Sequence, residues 1–234
     1  MKWFTNLSIK LKLLLSFGFI TLIAAAIGLL GIFNLSTLRE KDSLMYNNMT
    51  VPITYLADIT NYYQRIRVNT RDLILAQSPQ EEIEYENRII DYRLKIAGLK
   101  DKFEKTILLD NVRNSFSRFK EKFEQYNSGV DKLILLVKQN QNSTAIALLR
   151  GEMYKTAKEA QEELDKLIQQ KNQNAGATYL SNDSLSKTSS LVMSILLALG
   201  VLSALTLSFY VSKLISSGIK EISGRIDSLK TICL

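Results

Sequence analysis

Two stretches of this chain leave little choice of surroundings. Leu13 to Phe33 (LLLSFGFITLIAAAIGLLGIF) and Leu191 to Val211 (LVMSILLALGVLSALTLSFYV) each run twenty-one residues without a charge. A bilayer core of about 30 Å takes about 20 apolar residues as helix, so either run is long enough to span it. The first run has a second reading as a cleavable signal peptide, with Ala24, Ala25 and Ala26 at the cut. It continues to Phe33, past the roughly 7–15-residue core of a signal, and an uncleaved anchor fits its length better.

The flanks set the expected orientation. Lys2, Lys10 and Lys12 precede the first run with no acid among them. Lys213, Lys220, Arg225 and Lys230 follow the second, against Glu221 and Asp227. Short basic flanks favour the cytoplasmic side, so the chain is expected to cross a cell membrane twice with both termini inside. The expected organisation is a basic leader at 1–12, a span at 13–33, an outer domain at 34–189, a span at 191–211 and a cytoplasmic helix at 212–234. The outer segment carries 23 basic and 21 acidic residues. That near balance lacks the concentrated basic face a nucleic-acid partner requires.

Several chemistries are excluded by composition. The chain has no histidine, and its one cysteine is Cys233. Cys/His zinc sites, an outer disulfide framework and a di-iron site built on Glu-x-x-His pairs are therefore ruled out, and no cofactor, metal or catalytic residue is expected. Neither apolar run contains a charge, which argues against a proton relay or ion path through the membrane.

The outer segment reads as all-α. With only two prolines and apolar positions spaced three and four apart, its pattern is that of helices rather than strands. The first seam runs from Leu35 through Leu38, Met45, Met49, Pro52, Leu56, Ile59, Tyr63, Ile66 and Thr70 to Leu73, broken only by Asp42. Pro52 on that seam costs one backbone hydrogen bond and should bend the helix locally. Ser78, Pro79 and Glu81 form a capping-box start for a second helix. That helix offers Ile83, Ile90, Leu94 and Ala97 beside a stripe of Tyr85, Ile89, Tyr92, Ile96, Leu99 and Phe103. Asp110 is the expected cap of a third helix. Its seam is Val112, Phe116, Phe119, Phe123, Tyr126, Val130, Leu133 and Val137, where heptad spacing makes the aromatic ladder core rather than a ligand pocket. The fourth seam runs Ile146, Leu149, Met153, Ala157, Ala160, Leu164 and Leu167, then turns polar at Lys171, Asn174, Thr178 and Ser181 before Leu185. Helices are expected at about 34–77, 79–109, 111–140 and 143–189, joined by short connections into an antiparallel, membrane-anchored four-helix bundle with two transmembrane helices. The polar ends of the first and fourth helices are poorly covered by one chain, so a parallel homodimer is expected. Gly200 and Ala204 in the second run would permit close helix packing.

A basic leader (MKWFTNLSIKLKLLLSF), an anchor, a four-helix outer domain, a second anchor and an amphipathic helix together resemble the N-terminal half of a methyl-accepting chemotaxis protein. RVNTRDLILA (Arg67 to Ala76) and AIALLRGEMYKTAKEAQEEL in the fourth helix are similar to that family as well. The tail SKLISSGIKEISGRIDSLKTICL resembles the first helix of a HAMP linker, with Ile215, Ile219, Ile222, Ile226, Leu229 and Cys233 as its core. The family usually has proline where Gly218 stands, a departure that bears on the geometry of the junction. The resemblance implies a chemotaxis receptor that detects an outer stimulus and passes it inward by a small displacement of the fourth helix. It also implies a chain that stops after the first linker helix, without an output of its own. Two other functions remain open: the sensor part of a membrane histidine kinase or cyclase, and a non-signalling bundle forming mixed dimers with full-length receptors.

In amino-acid-binding members of that family, arginines near the outer end of the first helix clamp ligand carboxylates across the dimer interface. Arg67 and Arg71 match the later pair in spacing, with Gln64 and Thr60 beside them; the position of an earlier arginine falls on Tyr62. Guanidinium forks suit carboxylates because they bind both oxygens at once. The resemblance thus implies a small acid or amino acid ligand, free or on a solute-binding protein, at Arg67, Arg71, Gln64 and Tyr62. The alternative is that both arginines pair with helix-surface acids such as Glu81, Glu82 or Glu152.

Overall fold

The structure, a computed structural model, describes residues 7–232, with side chains described except at Glu221 and beyond Gly224. Lys2, the side chains of Ile226 and Leu229, and Cys233 lie outside the described residues. All regular structure among them is helical. Helix α1 spans Ile9–Met45, a π-turn Tyr46–Thr50, α2 Val51–Ile74, α3 Pro79–Glu104, α4 Asp110–Lys138, α5 Asn142–Leu148, a second π-turn Leu149–Met153, and α6 Tyr154–Ile232. Residues Lys41–Asn182 form one compact unit, and the stretches on either side of it form a second.

The first unit is the bundle, and each of its ends has a local cause. Pro52 has no N–H, and its ring clashes with the carbonyl four residues back, that of Asn48. The chain widens there into the first π-turn, in which Val51 N–H donates to Tyr46 O. At the start of α3, Ser78 is extended and its Oγ accepts from Glu81 N at 3.3 Å. The Glu81 carboxylate accepts in return from Gln77 N at 2.8 Å, one residue earlier than a strict capping box. Helix α3 stops at Glu104, five residues short of the expected 109, because Thr106 and Ile107 fold back in tight turns onto Phe103 and Glu104. Asp110 does not cap α4. Leu109 holds that position without a side-chain bond, while Asp110 lies in the first turn, where a carboxylate favours the helix dipole. The end of α4 is a Schellman turn: Asn140 takes φ 56°, its N–H donates to Val137 O at 2.9 Å, and Gln141 N–H donates to Leu136 O at 2.9 Å.

The helices close in the order α2, α3, α4, α6. Tyr62 of α2 stacks on Tyr92 of α3 at 5.7 Å. Between α3 and α4, Arg93 pairs with Asp131, Lys100 with Glu124, and Lys138 with Glu86. Arg118 and Lys122 of α4 reach Glu163 and Glu159 of α6. Tyr63 Oη of α2 donates to Ala157 O of α6 at 3.1 Å. Inside this ring sit Leu56, Ile59, Tyr63, Ile66 and Leu73, the α4 seam from Val112 to Val137, and Met153 to Leu167 of the fourth bundle helix. Only one stripe of α3 joins them: Ile89, Ile96 and Phe103 are buried, whereas Ile83, Ile90 and Leu94 face solvent. Farther along α6 the buried position is Asn182, not the expected Ser181.

In the second unit, α1 and α6 each contain a segment long and apolar enough to cross a membrane. The two run against each other: a Cβ on Gly200 would meet Ile23 and Ile27 at 3.5 and 3.4 Å, and one on Gly31 would meet Met193 at 3.2 Å. Gly218 lies within unbroken α6. Ile219 and Ile222, expected linker-core residues, are exposed in the single chain, and Ile215 is half-buried.

Candidate functional site

The bundle has a cleft of about 400 Å³ between its first and fourth helices, in the size range of small-molecule sites. Its floor is apolar, made by Ile74 of α2, Ile146 of α5, Leu149 and Met153 of the second π-turn, and Ala157 of α6. Arg67 and Arg71 line it from α2, Arg150 from the π-turn, and Tyr126 and Tyr154 complete the wall. No carboxylate lines it. None of the ion pairs among the described residues involves these three arginines, so the acids Glu81, Glu82 and Glu152 do not claim them.

Each arginine is held differently. Arg67 is half-buried; its Nη1 donates to Gln64 Oε1 at 3.0 Å, and its guanidinium lies 5.9 Å from the Tyr63 ring. Gln64 Nε2 donates to Gln161 Oε1 at 2.6 Å, and Gln161 Nε2 donates to Asp165 at 2.8 Å. A line of amides thus links Arg67 on α2 to a carboxylate on α6. Arg71 and Arg150 are exposed and line the cleft. The π-turn that carries Arg150 is packed in place by Met153, which lies against Gly129 of α4. A Cβ on Gly129 would come within 2.8 Å of Met153 Cγ, so only glycine admits this approach. Asn142 Nδ2 donates to Ile74 O at 3.4 Å and ties α5 to the end of α2 at the rim.

The two buried phenols beside the cleft are neutral at ordinary pH, and Tyr63 donates to Ala157 O. Burial pushes Tyr63 far above its usual range, helped by Tyr126 and opposed by the Arg67 charge. Burial also raises Tyr126, against the pull of Thr70 and of Arg67, Arg71 and Arg93. The assembly is therefore cationic at the mouth, apolar on the floor and backed by buried phenols.

Of the four residues expected at the site, the structure brings Arg67 and Arg71 to the cleft. Gln64 is one step back, bonded to Arg67, and Tyr62 lies on the opposite side of α2 against Tyr92. The description "four helix bundle sensory module for signal transduction" matches this chain over residues 6–186, well over half its length. The chain belongs to that family. It is a family of signalling modules rather than of enzymes. A relative from Acetivibrio thermocellus, named "Putative sensory transducer protein", is 25% identical over 166 residues, which is 70% of this chain. The chain spans 29% of that relative's length. No solved structure matches the chain significantly.

The residues of this sensory module that sequence reasoning missed are Arg150 and Tyr154. Both flank the seam of the fourth helix rather than lying on it, so the 3–4 spacing gave them no weight. The one signal was their place in LLRGEMYK, where a glycine follows a basic residue in the middle of a helix.

Proposed function

We propose that the chain is the sensing and membrane-crossing part of a chemoreceptor-type transducer, and that the cleft takes a small carboxylic acid with an apolar body. The observation that carries this is the meeting of Arg67, Arg71 and Arg150 around an apolar floor that holds no acid. Guanidiniums would take the carboxylate bidentately while Ile74, Leu149 and Met153 cover the rest of the ligand. Residues 34–189 lie outside the membrane and both termini inside, as the basic flanks favour. Tyr154 and Ala157 line the cleft on the helix that is continuous in sequence through 191–211 to Ile232, and a displacement of that helix is the signal we propose. Such transmission requires a ligand that favours one of two positions of α6. A second copy of the chain would cover Ile215, Ile219 and Ile222, which supports a homodimer whose linker helices form a parallel coiled coil. Full-length receptors are the further partners expected of such an assembly, and a solute-binding protein is the other route by which a stimulus would arrive.

Calorimetry of the full chain in lipid nanodiscs against hexanoate, benzoate and aspartate tests the ligand reading. Hexanoate or benzoate should bind, and Arg71→Ala or Arg150→Ala should weaken binding about 10–100-fold, the loss of a charge-assisted hydrogen bond. Arg65→Ala, whose guanidinium lies over Tyr92 instead, should change little. Absence of heat with all three acids, or binding indifferent to Arg71 and Arg150, would sink the proposed site.

A further inference from the structure

Away from the cleft, the bundle buries a lysine that has no anion paired with it among the described residues. Lys171 follows Leu164 and Leu167 on the buried seam of α6 and is only 3% exposed. Its Nζ donates to Asn48 O at 2.6 Å and to Thr106 O at 2.9 Å, with Thr106 Oγ1 at 3.4 Å, and lies 5.2 Å from the Phe103 ring. Asn48 O is the carbonyl that Pro52, lacking an N–H, leaves without its helical donor. Thr106 lies in the turn where α3 has ended. One lysine nitrogen therefore ties the first, second and fourth bundle helices together at the places where two of them lose regular bonding.

The charged groups on the elements around it bond elsewhere or face solvent. On the first helix Asp42 accepts from Asn182 at 2.9 Å, and Lys41 and Asp58 lie farther along. On α3, Glu104 pairs with Lys120, and Asp101, Lys102 and Lys105 are exposed. At the start of α4, Arg113 donates to Ile107 O and Asp110 is exposed. On α6, Asp165 accepts from Gln161 and Lys166 is exposed. No ion pair among the described residues includes Lys171. Burial lowers its pKa from 10.5 to about 8.

We propose that Lys171 is a proton-binding site through which this sensor reads alkaline pH, separately from whatever occupies the arginine cleft. The two states are a buried lysine clamping Asn48 and Thr106, and a lysine swung to water with the clamp released. Protonation favours the solvated state, because a charge is penalised by burial. Loss of the proton favours the clamp: a neutral amine still has two N–H donors for the two carbonyls and loses less on leaving water. Raising the pH thus closes the polar end of the bundle and lowering it opens that end. The bias between the states can change by roughly a few hundred-fold across the interval between the buried and solvated lysine. Both states position α6, so pH and a cleft ligand would bias the same helix from two sites.

The experiment is a titration of the full chain in nanodiscs, labelled with carbon-13 at lysine Cε, from about pH 6.5 to 10. One resonance should titrate near 8, and it should be missing from Lys171→Arg and from Lys171→Met while present in Arg71→Ala. In a Cys233→Ser background, spin labels at the exposed positions Tyr46 and Lys105 should report a distance that changes with a midpoint near pH 8. That change should vanish in Lys171→Arg, which stays charged throughout, and in Lys171→Met, which has no charge to lose. The idea is overturned if every lysine titrates above about 10, or if the distance changes with pH equally in either variant. Were Lys171→Met to misfold, the wild-type titration with Lys171→Arg would still decide.

Discussion

The bundle has two sections built on one helical spacing with opposite chemistry. From Leu56 to Leu73, with Val112 to Val137 and Met153 to Leu167, the buried face is mainly apolar, interrupted by Asn69, Thr70, Ser115, Asn127 and Thr156, and its rings, with Phe103, lie 5.0 to 6.4 Å apart. In the other section the same faces carry Asp42, Asn48, Thr106, Lys171, Thr178 and Asn182. Lys171 there bonds to bare carbonyls, Thr178 donates to Met49 Sδ, and Asn182 Oδ1 is buried without a partner among the described residues. Packing of the first kind resists rearrangement, because shape complementarity gives it one arrangement. Polar contacts of the second kind are exchangeable with water, so this section has low-lying alternatives.

The contrast can be broken at several points. Phe119, fully buried between Phe116 and Phe123, should be the most expensive single loss: Phe119→Ala is expected to remove about 3–5 kcal/mol from unfolding of the full chain in detergent. A loss below about 1 kcal/mol would mean that the apolar section is not the stabilising one. Next comes pH. The folded-state pKa of Lys171 is lowered, so the unfolded chain binds more protons between about 8 and 10.5 and stability must rise with pH through that window. An increase of about 2 kcal/mol between about pH 7.5 and 9.5 is expected, absent in Lys171→Met. A flat profile would place the lysine in water. Gly129→Ala should cost about 1–3 kcal/mol by driving a methyl into Met153, and should also weaken acid binding at the cleft. Unchanged binding would show that the π-turn does not depend on that packing. The smallest effect is expected at Ser78→Ala, about 1 kcal/mol for a lost helix cap, with no change in binding or in the Lys171 titration.

The apolar section was readable from the sequence, since a heptad pattern and burial on one face are the same fact stated twice. Val112 to Val137 and Leu56 to Leu73 show it directly. In the polar section spacing loses its meaning, because exposed and buried polar residues look alike in a sequence. That is why Asn182 rather than Ser181 is buried. It is also why Lys171, visible on the seam, gave no hint of its two carbonyl partners on other helices. The arginine pair was visible as a spacing within one helix. The cleft was not, since Arg150 reaches it from a π-turn whose extra residue no periodic template contains. Tyr62 failed for the opposite reason: it sits at the right height but on the wrong side of α2. The capping box at Ser78 was legible because it is local, whereas the early end of α3 depends on turns around Thr106.

The two π-turns lie on the first and fourth bundle helices, which lead in sequence to the apolar stretches, while α3 and α4 have none. A ring closed from i to i+5 holds one residue more than the α ring from i to i+4. Each of these two helices thus carries a spare residue of slack. Deleting one residue within 149–153 should tighten the turn and keep the register on both sides, where the same deletion in α4 would turn a whole seam out of the core. At 46–50 the ring of Pro52 opposes the same tightening, so the fourth bundle helix is the one whose length can be tuned without rewriting the bundle.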